Sequence, residues 1–203
     1  MRQHLIVFVR APQRGTGKRR LARDIGDGEA DRFERIVLTG LLRRLGRDRR
    51  WRLRLAVTPD AARHRRRQWP RGVSVVGQGR GDIGARMRRA VAQCPPGPTV
   101  LIGSDIPEIT AAHIAAAFRL LGPHDLVFGP AEDGGFWLVG ARRRPRLPLL
   151  FGPVRWSGPH ALGDTLRNLP RWVSVGFAVR LADVDDGPAY RRFAAGLPTS
   201  SRR

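Results

Sequence analysis

The sequence predicts an α/β fold, a mixed, mostly parallel sheet with helices on both faces, from two observations. Short β-branched or aromatic runs take turns with segments of helical periodicity over the first two-thirds of the chain. The polar clusters follow those runs directly, and open parallel sheets bind ligands outside the carboxyl ends of their strands.

Residues 4–10 (HLIVFVR) form a short, nearly unbroken apolar run, as expected of a buried strand. The loop APQRGTGK follows. From Asp27, expected as the N-cap, to Leu45, the apolar Phe33, Ile36, Val37, Leu41, Leu42 and Leu45 recur at helical spacing, and Gly46 closes the segment. Residues 51–57 read as a second strand, Pro59 and Asp60 open a short basic helix or turn, and residues 73–76 make a third strand. GDIGARMRRAVAQ, from Gly81, reads as a helix that starts in a glycine-containing loop and is stopped by the prolines at 95–98. Residues 99–103 supply strand four. Thr110 is placed to cap the next helix, with Ile109 and Ile114 at the positions of a hydrophobic staple. Strands five and six fall at 125–129 and 136–140. Beyond the proline- and arginine-rich stretch 142–153 come a helix near 160–169, a strand at 172–176 and a final helix after Pro188.

A chain of 203 residues supports one hydrophobic core, so a single domain over 1–197 with a basic tail at 198–203 is expected. No apolar run reaches the length of a bilayer crossing, and MRQHLIVFVRAP leads directly into a strand pattern rather than a signal peptide. Membrane insertion is therefore not expected, and the cytoplasm is the expected location. The lone Cys94 excludes an intrachain disulfide and a cysteine metal cluster. A homodimer is compatible with the sequence, but no feature calls for one.

The formal charge of +21 attracts polyanions. The arginines are scattered, however, without the aromatic interleaving that stacks bases, so no specific nucleic-acid partner is expected. Of the 38 basic residues only Lys18 is a lysine. It stands in the glycine-rich loop after the first strand, a position suited to a phosphate contact.

Five segments carry the candidate chemistry. In Gly103-Ser104-Asp105-Ile106-Pro107 an aspartate leaves the end of an apolar strand and is held by a proline turn. It suits Mg2+ or Mn2+, which take oxygen ligands, although a turn-capping aspartate has the same sequence. In Glu132-Asp133-Gly134-Gly135 the paired glycines suggest close approach to a ligand, with Asp133 facing an acceptor; a plain hairpin would also use Asp-Gly-Gly. In ADVDDG an extended chain puts Asp183 and Asp185 on one face and Asp186 on the other. Asp185 would then complete coordination begun by Asp105, and a helix N-cap is the alternative for one of these acids. The loop at 11–21 is not a Walker loop, but its glycines, Lys18 and Arg20 would cradle phosphates. Gln78, Gly79 and the turn at 81–84 would face a base and Arg86 the phosphates, unless the segment simply initiates a helix. The five histidines show no ligand spacing. The tryptophans read as core or rim, with Trp137 and Trp156 as possible walls of an acceptor pocket.

With these motifs in order, the chain resembles a bacterial family of small glycosyltransferase-like proteins, often named for an uncharacterised domain or as a transferase 1 type associated with radical-SAM and selenoprotein genes. It is more distantly similar to the cofactor guanylyltransferases. The matching stretches are Arg10-Ala11-Pro12 through Gly15 to Lys18-Arg19-Arg20-Leu21; Gln78 with Gly81-Asp82-Ile83-Gly84 and Arg86-Met87; Gly103-Ser104-Asp105-Ile106-Pro107; 129–135; Trp156-Ser157; and Asp183-Val184-Asp185. The resemblance implies the nucleotide-diphospho-sugar transferase (GT-A, Rossmann-like) fold. It also implies Asp105 as metal-binding aspartate, Asp185 as a second metal contact, Lys18 at the phosphates and 78–84 near the base. Three departures from the family pattern are Arg19 for threonine, Ala85 for glutamate and Asp186 for threonine.

The expected activity is a metal-dependent transfer from a nucleotide sugar or a nucleoside triphosphate to a small acceptor. Ala11, Pro12, Gly15, Lys18, Arg20, Gln78, Gly79, Gly84 and Arg86 would bind the nucleotide, Asp105 and Asp185 the ion, and Lys18, Asp105 and Asp133 would carry catalysis. The alternative is a non-catalytic nucleotide or nucleic-acid binding protein.

Overall fold

The computed structural model describes residues 1–13, 17–143 and 151–195. The basic tail at 198–203, Gly15 and most of the proline- and arginine-rich stretch lie outside them. The element order is β1 (Gln3–Arg10), α1 (Arg19–Ile25), α2 (Asp27–Gly46), β2 (Trp51–Thr58), β3 (Ser74–Gly77), α3 (Ile83–Ala92), β4 (Thr99–Ile102), α4 (Ala111–Leu120), β5 (Leu126–Pro130), β6 (Phe136–Ala141), α5 (Ala161–Arg167), β7 (Val175–Phe177) and α6 (Gly187–Ala195). Two 3-10 turns, Asp60–His64 and Arg66–Gln68, fill the connection from β2 to β3.

The seven strands form one sheet in the order β3-β2-β1-β4-β6-β5-β7. Every neighbouring pair is parallel except those made by β6, which runs antiparallel to both β4 and β5. β1 is central, pairing Leu5 with Leu53 on one side and with Val100 on the other. Its six interior residues are all buried, which is why the run carries no polar alternation. Leu5, Val7 and Val9 face a layer built from α2 and α4, including Leu41, Leu45, Ile114 and Phe118. Ile6 and Phe8 face Met87 and Val91 of α3, with Leu162 and Leu166 of α5 packed against the same cluster. A third cluster ties α1, α2 and α6 together through Leu21, Phe33, Val184 and Ala189, with Tyr190 and Phe193 edge-on to Phe33 at 5.3 and 5.6 Å.

Several sequence expectations shift. The chain forms α1 where only a loop was expected. Asp27 is the first helical residue of α2 and not its N-cap; Gly26, at φ 86, holds that place without a side-chain hydrogen bond. Ile36 is 60% exposed, because the buried stripe of α2 runs through Phe33, Val37, Leu41 and Leu45 and leaves residue 36 on the outer side. The last strand lies at Val175–Phe177 and Trp172 is 72% exposed, since pairing starts only where the chain comes alongside β5. α6 begins at Gly187, with Pro188 tolerated in its first turn. No helix among the described residues is long and apolar enough to cross a membrane.

The turn that leads from β4 into α4 is pinned at its far end. Thr110 accepts the His113 main-chain N–H at 3.2 Å while His113 Nδ1 accepts that of Thr110 at 3.4 Å, and Ile109 and Ile114 are fully buried beside them. Thr110→Ala is expected to lower unfolding stability by about 1 kcal/mol, read from a urea denaturation midpoint with unchanged slope.

Candidate functional site

The sheet brings together chain ends far apart in sequence. β1 and β4 are adjacent and parallel, so the loop leaving Arg10 and the turn leaving Ile102 emerge side by side. The strand-like run after β7 continues along β5, with Leu181 bridged to Ala131, and delivers residues 183–185 to the same rim. There the Lys18 ammonium donates to Asp185 Oδ1 and lies 3.6 Å from Asp105 Oδ2. Its side chain is only 14% exposed. Asp105, Asp183 and Asp185 each offer a carboxylate oxygen, all within 4.8 Å of one another.

The protonation balance follows from this packing. Burial acts to lower the Lys18 pKa, but the charges of Asp105 and Asp185 outweigh it and raise the value. Asp185 is also disfavoured as an anion by burial, yet the neighbouring Lys18 ammonium holds its pKa below the ordinary carboxylate range. Asp183 is pushed up to about 7, first by burial and then by its hydrogen bond and repulsion with Asp185. One ammonium therefore faces more carboxylate than it can neutralise. Asp186, on the opposite side of the extended segment, accepts the Ala189 N–H at 2.8 Å and caps α6.

The cluster closes one end of a cleft of about 520 Å³. Arg10, Arg19, Arg20 and Arg86 line it together with Phe8, Phe33 and Ile83, and Glu34 enters from α2. Of the other residues expected at a nucleotide, Pro12 and Gln78 also line it. Gln78 is buried, and its amide nitrogen donates to the main-chain oxygens of Ala56 at 2.9 Å and Val9 at 3.4 Å, which leaves its carbonyl oxygen for a ligand. Arg86 is anchored through Nε to the Gly81 oxygen at 2.8 Å.

The other expected site residues among those described do not line the cleft. Ala11 is buried, its N–H donating to Thr58. The Gly79 N–H is bound by Asp60 at 3.0 Å. Gly84 packs under Phe151 and Trp156, and Asp82 caps α3 by accepting the Ala85 N–H at 2.7 Å, the helix-initiation reading of that segment. Asp133 accepts the Gly135 N–H at 2.8 Å, and Gly134, at φ 84, lies so close to the Pro159 main chain that a Cβ would come within 2.4 Å of its oxygen. The glycines thus serve the β5–β6 hairpin. Trp137 is buried with its indole bonded to the Val179 oxygen, and Trp156 packs on Phe136 and Phe151. Two residues at the site carry weaker signals in the sequence: Asp183 of the carboxylate cluster, signalled by its alternation with Asp185, and Glu34 of the cleft lining, which no sequence pattern marks.

The model of the family described as "Uncharacterized protein conserved in bacteria (DUF2064)" matches residues 41–158. No curated protein sequence matches the chain. Among solved structures, a protein of Desulfovibrio desulfuricans G20, provisionally described as a nucleotide-diphospho-sugar transferase, is 26% identical. It superposes with a TM-score of 0.88 over 100% of this chain and 91% of its own. CMP:2-keto-3-deoxy-manno-octonic acid synthetase in complex with CTP gives a TM-score of 0.59 at 11% identity, covering 96% of this chain and 98% of its own. Glucosyl-3-phosphoglycerate synthase from Mycobacterium tuberculosis, in complex with Mn2+, UDP and glucosyl-3-phosphoglycerate, gives 0.58 at 14% identity, covering 98% and 81%. The last two show the fold alone.

The raised pKa of Asp183 gives a pH test. Between the ordinary carboxylate value near 3.8 and about 7, the folded chain keeps a proton that the unfolded chain has lost, so this group's contribution to stability falls as pH rises through that window. Asp183→Asn, which cannot ionise, is expected to raise the Tm by a few degrees at pH 8 without added metal. At pH 5, where Asp183 is itself protonated, the Tm should be unchanged.

Proposed function

This chain belongs to the DUF2064 family of bacterial proteins, and we propose that it is a metal-dependent transferase that takes a nucleotide sugar or a nucleoside triphosphate and passes a glycosyl or nucleotidyl group to a small acceptor. Its fold is that of the nucleotide-diphospho-sugar transferases. The observation that carries the reading is the meeting of Asp105, Asp183 and Asp185 with Lys18 at the mouth of a cleft whose other charged walls are mostly arginine.

Three carboxylates whose oxygens lie within 4.8 Å of one another form an all-oxygen donor set, the kind that Mg2+ and Mn2+ take. An excess of carboxylate over ammonium, expressed in the raised Asp183 pKa, leaves room for a second positive charge. Bound there, a divalent ion would neutralise diphosphate oxygens and ease departure of the leaving group. Lys18, once its carboxylate partners are engaged elsewhere, is within reach to turn its ammonium to the same diphosphate. Arg20 and Arg86 add fixed positive charge along the cleft, where exclusion of water strengthens their pull on an anion. Phe8 and Ile83 offer apolar contact beside the Gln78 carbonyl, an arrangement suited to the flat face and N–H edge of a base. Asp133 has no part in this account, because its carboxylate closes the hairpin turn.

Glycosyl and nucleotidyl transfer both release a diphosphate, so the same charge clamp serves either. The description of the D. desulfuricans protein favours a nucleotide sugar.

A thermal-shift panel of nucleoside triphosphates and nucleotide sugars, run with and without Mn2+ at fixed salt, separates the possibilities. One class is expected to stabilise only with the ion. The gain is about 2.7 kcal/mol at a hundred times Kd, or roughly 5–10 °C. Asp105→Asn should abolish the ion-dependent part. Stabilisation that ignores Mn2+, survives Asp105→Asn and collapses with moderate salt would instead mark a charge-driven nucleotide or nucleic-acid binder.

A further inference from the structure

Glu34 stands out among the acids of the cleft because it belongs to neither the carboxylate cluster nor a cap. It projects from the third turn's side of α2 that also carries Phe33 and Val37, and it is half-buried in the cleft wall. Its Oε1 accepts the main-chain N–H of Lys18 at 2.6 Å. Its two oxygens lie 2.7 and 2.8 Å from where a Cβ on Gly17 would stand, so any larger residue at 17 would displace the carboxylate from this position. Among the described residues no Lys or Arg side chain forms an ion pair with Glu34, although Arg10, Lys18, Arg19, Arg20 and Arg86 line the same cleft.

A carboxylate oxygen on that N–H has the charge and the contact that a phosphate oxygen would take there. Two anions cannot share one N–H, and like charges a few ångströms apart in a sheltered cleft repel strongly. We propose that Glu34 is a selectivity residue: its carboxylate holds the anion position of the Lys18 loop, so that bare phosphates are turned away. A diphosphate that brings its own divalent cation arrives with its charge offset and meets less repulsion. The chain thereby keeps a strongly basic cleft, in a protein of net charge +21, from filling with any passing polyanion. Glu34 touches the loop, and its effect is on which ligand is admitted. The preference for the metal complex rests on the proposed function; the exclusion of bare anions does not.

The test is calorimetric titration of the full chain with inorganic pyrophosphate, first without metal and then with Mg2+. Glu34→Gln keeps an oxygen for the Lys18 N–H and removes the charge; its metal-free affinity for pyrophosphate is expected to rise about tenfold. Glu34→Asp, a methylene shorter, withdraws the carboxylate from the loop and should also gain, which keeps the test decisive should the first variant fold poorly. Glu29→Gln, the same charge change at an exposed site on the same helix, should stay within about twofold of wild type. Unchanged or weakened metal-free binding in both Glu34 variants, or an equal gain in Glu29→Gln, overturns the inference. A wild type that shows no metal-dependent nucleotide binding would sink the transferase reading while leaving the metal-free gain intact as a result.

Discussion

An ammonium held between two carboxylates, Lys18 between Asp105 and Asp185, joins three stretches of chain that only the folded sheet brings together. Lys18 and Asp185 are 167 positions apart. Nothing local places them side by side; the parallel pairing of β1 with β4, and the return of the chain along β5, do so. The contact is also unbalanced. The carboxyl of Asp183 is pushed up to about 7, first by burial and then by Asp185, at a rim where three acids meet a single ammonium. That imbalance is the physical basis for assigning a cation to the site.

The rest of the cleft answers to the same arrangement. Arg10, Arg19, Arg20 and Arg86 line it, Arg20 near enough to Asp185 to help lower its pKa and Arg86 fixed by its contact with the Gly81 main chain. The lysine stands where a cation would meet the carboxylates, without neutralising all of them, and Glu34 sits on the Lys18 N–H where an anion would bind.

Much of this was legible in the sequence because open α/β sheets put their chemistry where apolar runs end. Asp105 and Lys18 follow such runs directly, and the alternation of Asp183 with Asp185 follows from two-residue periodicity. What escaped has physical reasons. α1 is seven residues long between Lys18 and Gly26, with Leu21 as its only buried residue, too short for a periodicity to declare itself. The mixed, mostly parallel sheet was expected; that β6 is the reversed strand was readable in principle, since five residues cannot make a parallel crossover between β5 and β6. Gly79 and Gly84 looked like ligand contacts because turn residues near a site and turn residues at a site have the same composition. The bond from the Gly79 N–H to Asp60 and the packing of Gly84 against Trp156 exist only in three dimensions. Asp133 is the same case: Asp-Gly-Gly serves a hairpin as well as a ligand, and here the hairpin uses it.

The central claim is that the three carboxylates form a cation site which Lys18 occupies until an ion arrives. A crystal soaked in Mn2+ and measured at the metal's absorption edge tests this most directly. The account predicts an anomalous peak bonded to Asp105 with Asp183 or Asp185, and the Lys18 ammonium displaced from its position between them. A peak elsewhere, or an undisturbed Lys18 bridge at saturating Mn2+, would contradict it.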